Sequence, residues 1–389
     1  MIHRFRSGIF LIVVLVVLIA SVPCASAGLP IKAKSAILIE AQTGEVLYEH
    51  NPDEKLPIAS VTKIMTLVLA LEALNEGKVS MDDVVVGSYL AKSMGGTQIW
   101  LEEGEQMSFR DMLYAVAVGS ANDCAVAIGE YLGGSFDAFV EHMNRKAQEL
   151  GMVNTHYANP TGLDAPDHYS TARDIAILSR YAVQLPLFLD LVSTWEYWVR
   201  QDTPQEVWLT SFNKLLKQYP GCDGIKTGYT STAGYCLSAT AKRNGLRLIA
   251  VALGSSTRDD RNNTIKALLD YGFQMYKAEK LVSQGESFGR LPVILGVTDS
   301  VELVSCSELR YPVKKGTELT LTKKVNLPET VTAPIAKDQV IGEVVFTDRS
   351  GKVVAKTEIV AAESIERAGF FKIIKQTVHQ LLKALFFRK

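Results

Sequence analysis

Along this chain the hydrophobic positions change period twice, and those changes divide it. Ala36 to Glu40 and Val46 to Glu49 read as two short strands joined at Gln42-Thr43-Gly44, a hairpin signal. A long apolar stretch then opens at Ala59-Ser60-Val61-Thr62-Lys63, with Pro57 just ahead, and continues through Ile64, Met65, Leu67, Val68, Leu69, Leu71 and Leu74 to Glu76-Gly77-Lys78. A helix apolar on nearly every side is a buried core helix. Phe109 to Val118 and Ala125 to Leu132 predict two more helices, with Gly119 to Asp123 as the turn between them. Ser135 caps a fourth, with Phe136, Phe139, Val140, Met143, Ala147 and Leu150 on one stripe, and Thr171 with Asp174 opens a fifth that runs to about Val183.

The period then becomes strand-like. Tyr235 to Ala241 and Leu246 to Leu253 predict two strands about the Asn244-Gly245 turn, and Thr264 to Tyr276 a closing helix. Strands at both ends of a helical body predict an α+β fold, a helical body on one antiparallel sheet assembled from both ends of the segment. From about residue 279 to 362 only short runs remain (Val301 to Val304, Glu318 to Leu321, Ile341 to Phe346, Val353 to Ala355), spaced by turn residues. They predict a small all-β domain after a main domain covering 28–278.

The two ends carry different signals. His3, Arg4 and Arg6, an apolar run from Ile9 to Ala20 and Ala25-Ser26-Ala27 form the three regions of a secretory signal over residues 1–27. An uncleaved anchor is the alternative; Ser21-Val22-Pro23 ahead of Cys24 makes a poor lipobox. Over 363–389, Phe370, Phe371, Ile374, Val378, Leu381, Leu382, Leu385 and Phe386 recur at helical steps, while Lys372, Gln376, His379 and Lys383 fall off that stripe. Such a helix lies in a membrane interface with its lysines towards anionic headgroups; packing on the β domain is the alternative.

Composition narrows the chemistry. A net charge of −1 gives no reason to expect nucleic-acid binding. Outside the signal, Cys124, Cys222, Cys236 and Cys306 show no CxxC spacing and are too few for a disulfide scaffold. The six histidines never fall at HxxxH or HExxH spacing, which argues against a zinc peptidase. No metal or organic cofactor is expected.

What remains is the serine and lysine at the mouth of the buried helix. Positions i and i+3 share a helical face, so Ser60 and Lys63 can touch. A lysine in an apolar wall has its charged form disfavoured and becomes a usable base for a neighbouring hydroxyl. A Ser-x-x-Lys pair alone is weak, since about two arise by chance in a chain of this length. Here Ser120-Ala121-Asn122 and Lys226-Thr227-Gly228 follow in order, one in an interhelical loop and one at a glycine-bounded strand start.

Together with Asn159-Pro160-Thr161-Gly162-Leu163-Asp164, Tyr169 to Asp174 and Asp223-Gly224-Ile225, these motifs closely resemble the serine D-alanyl-D-alanine carboxypeptidases, low-mass penicillin-binding proteins of the penicilloyl-serine-transferase superfamily. The resemblance runs from about Gly28 to the C-terminus. It implies that Ser60 attacks the penultimate D-alanine carbonyl of peptidoglycan pentapeptide stems and that Lys63 takes its proton. It implies further that the backbone N–H groups of Ser60 and Tyr229 form an oxyanion hole. By the same likeness Ser120 relays a proton between Lys63 and the leaving D-alanine, while Asn122 orients Lys63 and grips the peptide. Lys226, Thr227 and Arg261 receive the free carboxylate, and Gly228 admits the peptide to the strand edge. β-Lactams would acylate the same serine.

Rival readings differ at identifiable points. A class A β-lactamase needs a Glu-x-x-Leu-Asn loop between Asn122 and Lys226, and none is there. An endopeptidase or transpeptidase on the same scaffold is not separated by these motifs. A catalytically inert wall-binding scaffold would have lost Ser60, Lys63 or Lys226.

Overall fold

The structure is a computed structural model and describes residues 28–370 and Ile374. The expected secretory signal over 1–27 and, of the expected amphipathic tail over 363–389, residues 371–373 and 375–389 lie outside the described residues.

In chain order, β1 (Ser35–Glu40) and β2 (Val46–His50) form the expected hairpin, and a tight turn at Ala59–Thr62 leads into α1 (Lys63–Asn75). Then come β3 (Val84–Val86), α2 (Tyr89–Lys92), β4 (Gln106–Ser108), α3 (Phe109–Ala117), α4 (Asn122–Gly133), α5 (Phe136–Glu149), α6 (Ala172–Ala182) and α7 (Phe188–Ser193). A hairpin of β5 (Glu196–Val199) and β6 (Val207–Thr210) and the short α8 (Leu215–Gln218) precede β7 (Cys222–Thr230), β8 (Gly234–Arg243), β9 (Leu246–Ser255) and α9 (Arg258–Met275).

One antiparallel sheet, ordered β2-β1-β9-β8-β7, joins the two ends of this segment. Alternation along β1 and β9 serves both faces. Ile37, Ile39, Ile249, Val251 and Leu253 pack into the core shared with the helices. Ala36, Leu38, Leu248, Ala250 and Ala252 pack into a second core beneath α9. With helices on both faces the central strands are continuously apolar, the expected signature of a two-sided strand. In α1 every residue from Lys63 to Leu71 is buried, so this helix runs through the middle of the helical core.

The second body, from β10 (Tyr276–Val282), has β11 (Ser287–Ile294), β12 (Ser300–Ser305), β13 (Leu309–Lys314), β14 (Thr322–Asn326), β15 (Val331–Thr332), β16 (Val340–Thr347) and β17 (Val353–Ala361). Six of these form one sheet about a separate core centred on Val301, Val344 and Ile359, and β10 pairs with β13. The body is all-β, as expected.

Three local expectations shift. Ser60 sits in the tight turn ahead of α1, not in its first α-helical turn, because Ala59 takes a left-handed φ of 47°. The closing helix begins at Arg258, six residues before Thr264: Thr257 Oγ1 accepts the Asp260 N–H at 3.0 Å, and this capped first turn is charged and invisible to an apolar count. Glu318 to Leu321 is not a strand; the strand lies just beyond it, where Thr322 to Asn326 register against β16.

Candidate active site

The mouth of α1, the α3–α4 turn, the 159–164 loop and the edge strand β7 converge on one cleft. Ser60, Thr97, Ser120, Phe212, Lys214, Thr227, Gly228, Tyr229, Tyr235, Arg258 and Arg261 line it, and its volume is about 290 Å³.

Lys63 is wholly buried and its amine has three neighbours: Ser60 Oγ at 3.0 Å, Asn122 Oδ1 at 2.6 Å and the Thr161 carbonyl at 2.6 Å. Burial holds its pKa well below the ordinary lysine range. The nearby Lys226 charge pushes the same way, and buried Asp123 opposes both. The partners fix what a neutral amine would do. Oδ1 and the carbonyl can only accept, so they take the two N–H bonds, and the lone pair is left facing the Ser60 hydroxyl. The geometry is that of a general base beside a nucleophile.

Thr161 was not legible as a contributor. Asn159 Oδ1 accepts from Thr161 N, Thr161 Oγ1 and Gly162 N, and this turn aims the Thr161 carbonyl at Lys63. Gly162 has a φ of +82°, and a Cβ there would lie 1.9 Å from the Ala59 carbonyl oxygen, so the loop presses directly on the serine turn. On the other side, Thr62 and buried His168 are 2.8 Å apart. His168 Nδ1 accepts the Ala158 N–H, so Nε2 carries the proton and donates to Thr62. Burial lowers the His168 pKa to about 4, which keeps that tautomer neutral.

Asn122 is the first residue of α4. It accepts from Lys63, donates one amide hydrogen to the Gly95 carbonyl at 2.7 Å, and its backbone N–H meets the Thr97 carbonyl at 2.8 Å. Its other amide hydrogen is the one left for a peptide. Asp123, also unanticipated, is fully buried and accepts the Ile99 and Leu101 N–H groups at 3.0 Å each, fixing the 95–101 loop that forms one wall.

Ser120 takes a left-handed φ of 58° in the α3–α4 turn, and its hydroxyl accepts from Lys226 Nζ at 2.9 Å. Its hydrogen-bond partner is therefore Lys226, whereas Lys63 bonds Ser60, Asn122 and Thr161. Strain of this kind at a non-glycine residue persists where the surroundings over-determine it. Lys226 is buried, and its pKa falls to about 7, first from burial and then from the Arg261 charge.

Gly228 meets the requirement expected of it. A Cβ there would lie 2.8 Å from the Ile58 carbonyl oxygen and 3.0 Å from the Ser60 nitrogen. Thr227 is buried in β7, and Tyr229 is exposed at the rim, packed on Tyr235 at 4.4 Å. Arg261 is only 3% exposed, a buried charge and not a solvated surface one. It bonds Asn262 Oδ1 and, with Arg258, makes this end of the cleft positive; burial and Arg258 lower its pKa to about 10. All nine sequence-nominated side chains or backbones thus fall in or against one cleft. Lys214, Arg258, Phe212 and Thr97 join them without any motif to announce them.

Comparison with known proteins shows the family. The family model described as D-alanyl-D-alanine carboxypeptidase matches residues 21–257, and the one described as penicillin-binding protein 5, C-terminal domain, matches residues 276–367. The D-alanyl-D-alanine carboxypeptidase DacF of Bacillus subtilis is 41% identical over 348 residues, covering 89% of each chain. The structure is similar to penicillin-binding protein 5 of Haemophilus influenzae, with a TM-score of 0.67, 32% identity and coverage of 87% of this chain and 98% of that one. It is also similar to a peptidoglycan synthesis regulatory factor (PBP3) of Streptococcus pneumoniae, with a TM-score of 0.70, 28% identity and coverage of 86% and 100%. With its catalytic-domain model and its C-terminal-domain model both matched in order, the chain belongs to the serine D-alanyl-D-alanine carboxypeptidases of the low-mass penicillin-binding type.

Proposed function

We propose that the chain removes the terminal D-alanine from peptidoglycan pentapeptide stems through an acyl-enzyme on Ser60, and that β-lactams trap that intermediate. The observation that carries this reading is the Lys63 amine, buried, depressed in pKa and 3.0 Å from the Ser60 hydroxyl. In the forward step Ser60 Oγ bonds to the carbonyl carbon as its proton passes to Lys63. The Ser60 and Tyr229 N–H groups are proposed to hold the oxyanion, a contribution of several kcal/mol for two aimed donors. The breaking C–N bond needs a proton, for which Ser120, bonded to Lys226, is the proposed donor; its loss is made good by the proton Lys63 took from Ser60, which leaves Ser120 a hydroxyl again and Lys63 a neutral amine. The peptide runs beside β7, an edge strand that Gly228 leaves accessible. Its carboxylate meets Lys226, Thr227 and Arg261. Water then releases the acyl group, with Lys63 as base.

The test is direct. Incubation with penicillin followed by mass spectrometry is expected to place the adduct on the peptide containing Ser60, and purified enzyme is expected to release D-alanine from pentapeptide. An adduct elsewhere on folded protein would overturn the assignment. Faster cleavage of cross-linked dimers than of pentapeptide would make it an endopeptidase.

We also propose that the protein acts outside the cytoplasmic membrane, secreted by its first 27 residues and held on the outer leaflet by residues 363–389, with the β domain as a stalk. Support comes from the sequence pattern of both ends. Among the described residues no helix is long and apolar enough to cross a membrane. A chain ending at Glu363 is expected to bind penicillin normally but not to sediment with anionic vesicles, which the full mature chain should do. Equal sedimentation of both forms would exclude the anchor.

A further inference from the structure

We propose that the outward face of the β5–β6 hairpin is a docking strip for the sugar rings of the peptidoglycan strand that carries the stem peptide. The proposal rests on the carboxypeptidase reading above and adds a second point of substrate contact outside the cleft.

The hairpin has two faces of different character. Towards the body, Val199 and Leu209 are buried, and Tyr197 stacks on Tyr114 at 4.1 Å and donates its hydroxyl to Asp111 at 2.7 Å. That face anchors the hairpin. On the other face Trp198 and Trp208 stand opposite each other in register, stacked at 5.9 Å with 21° between their planes. They are 41% and 54% exposed, so their packing against the fold does not account for them. Any polar residue would serve those positions in a solvated hairpin; two adjacent exposed tryptophans signal a binding surface.

The strand that carries Trp208 leads along the chain into the substrate cleft. Phe212, two residues beyond the end of β6, is 49% exposed and lines the cleft with Ser60. A polymer whose peptide branch lies at Ser60 therefore has an aromatic surface within reach along the same chain segment. Pyranose rings offer one face of C–H bonds, weakly positive, to the negative face of an indole ring, while their hydroxyls stay in water.

Charge selects among possible occupants. Glu196 lies on the same face as the tryptophans and is exposed; the hairpin tip adds exposed Asp202 and Glu206. Arg200, the basic residue at the tip, is bound to Glu105 at 2.6 Å. The nearest lysines beyond the hairpin, Lys214 and Lys217, sit over the Trp195 ring at 5.2 and 5.5 Å. Carboxylates around the aromatic pair oppose an anionic lipid surface and tolerate a neutral, hydroxyl-rich glycan.

The experiment compares two substrates in the full mature enzyme: free pentapeptide, and uncross-linked peptidoglycan strands carrying the same pentapeptide. Replacing Trp198→Ala and Trp208→Ala together is expected to lower kcat/KM for the strands roughly tenfold, through KM, and to leave the free peptide and penicillin acylation unchanged. Short N-acetylglucosamine oligosaccharides are expected to perturb tryptophan fluorescence in the parent and not in the variant. If both substrates lose activity equally, or neither does, the strip is not a glycan site. Loss of vesicle binding with an unchanged ratio between the substrates would instead make it a membrane contact and overturn the proposal. A parent enzyme inactive on both substrates would overturn the carboxypeptidase reading itself. Should the double variant be unfolded by circular dichroism, Trp208→Ser alone carries the same comparison.

Discussion

Ser60→Ala is expected to leave no covalent penicillin adduct, and Lys63→Met to slow acylation of an intact Ser60 by about 10²- to 10⁴-fold, the range associated with a lost general base. The two variants fail for different reasons. Ser60 sits at the surface of the cleft, and its hydroxyl touches Lys63 without filling any core volume, so alanine removes the nucleophile and little else. Methionine keeps the length and apolar volume of Lys63 in a helix that is buried from Lys63 to Leu71. It removes a base whose charged form burial disfavours, which favours stability. It also leaves Asn122 Oδ1 and the Thr161 carbonyl without their donor, at about 1–3 kcal/mol each. These effects oppose, so the melting temperature of Lys63→Met is expected to stay near that of the parent while acylation collapses. Stopped-flow acylation beside thermal unfolding reads both. Acylation within fivefold of the parent by folded Lys63→Met would remove Lys63 from the base role.

How far the sequence reached can be judged at this same site. Ser60, Lys63, Ser120, Asn122 and Lys226 were legible because each belongs to a short motif whose residues are close in the chain. The sheet was legible because β1, β8 and β9 carry strand-length apolar runs bounded by turns. The rest depends on contacts that no local pattern records. Thr161 acts through its backbone carbonyl, where side-chain identity has no say, and only the Asn159 turn aims it. Asp123 followed directly on the Ser120 motif, yet its work is done on Ile99 and Leu101, more than twenty residues earlier. Arg261 was ambiguous because Arg258-Asp259-Asp260-Arg261 has the composition of a solvated helix end. Only the position of α9 against the cleft decides that Arg261 is buried. The pairing of Ser120 with Lys226 belongs to the same group: 106 residues separate them, and the resemblance linked Ser120 to Lys63 instead. Distance along the chain, more than weakness of the motifs, set the limit.

Lys226 should give the enzyme an alkaline limit set by substrate capture. In the free enzyme its pKa is about 7, lowered by burial and by Arg261, and its ammonium is proposed to meet the substrate carboxylate. As pH rises through that value the charge is lost, so kcat/KM should fall while kcat at saturation stays level. A bound carboxylate favours the protonated amine and moves its titration upward. Lys226→Ala should lower kcat/KM by about 10²-fold near neutral pH, as loss of one partly buried charge contact implies, and should abolish that alkaline limb. The same shift predicts a stability signature. The folded-state pKa lies below that of the unfolded chain, whose lysine keeps its proton to about 10.5. Between about 7 and 10.5 the unfolded state binds more protons, so this group's contribution to stability rises with pH through that window. Below it the full cost of burying the charge is present, on the order of a few kcal/mol. Lys226→Met should therefore melt above the parent at pH 6, with the gap narrowing as pH approaches 10. A gap that stays constant or widens over that range would show that Lys226 is not a depressed amine in the folded protein, and with that the proposed origin of the alkaline limb would fall.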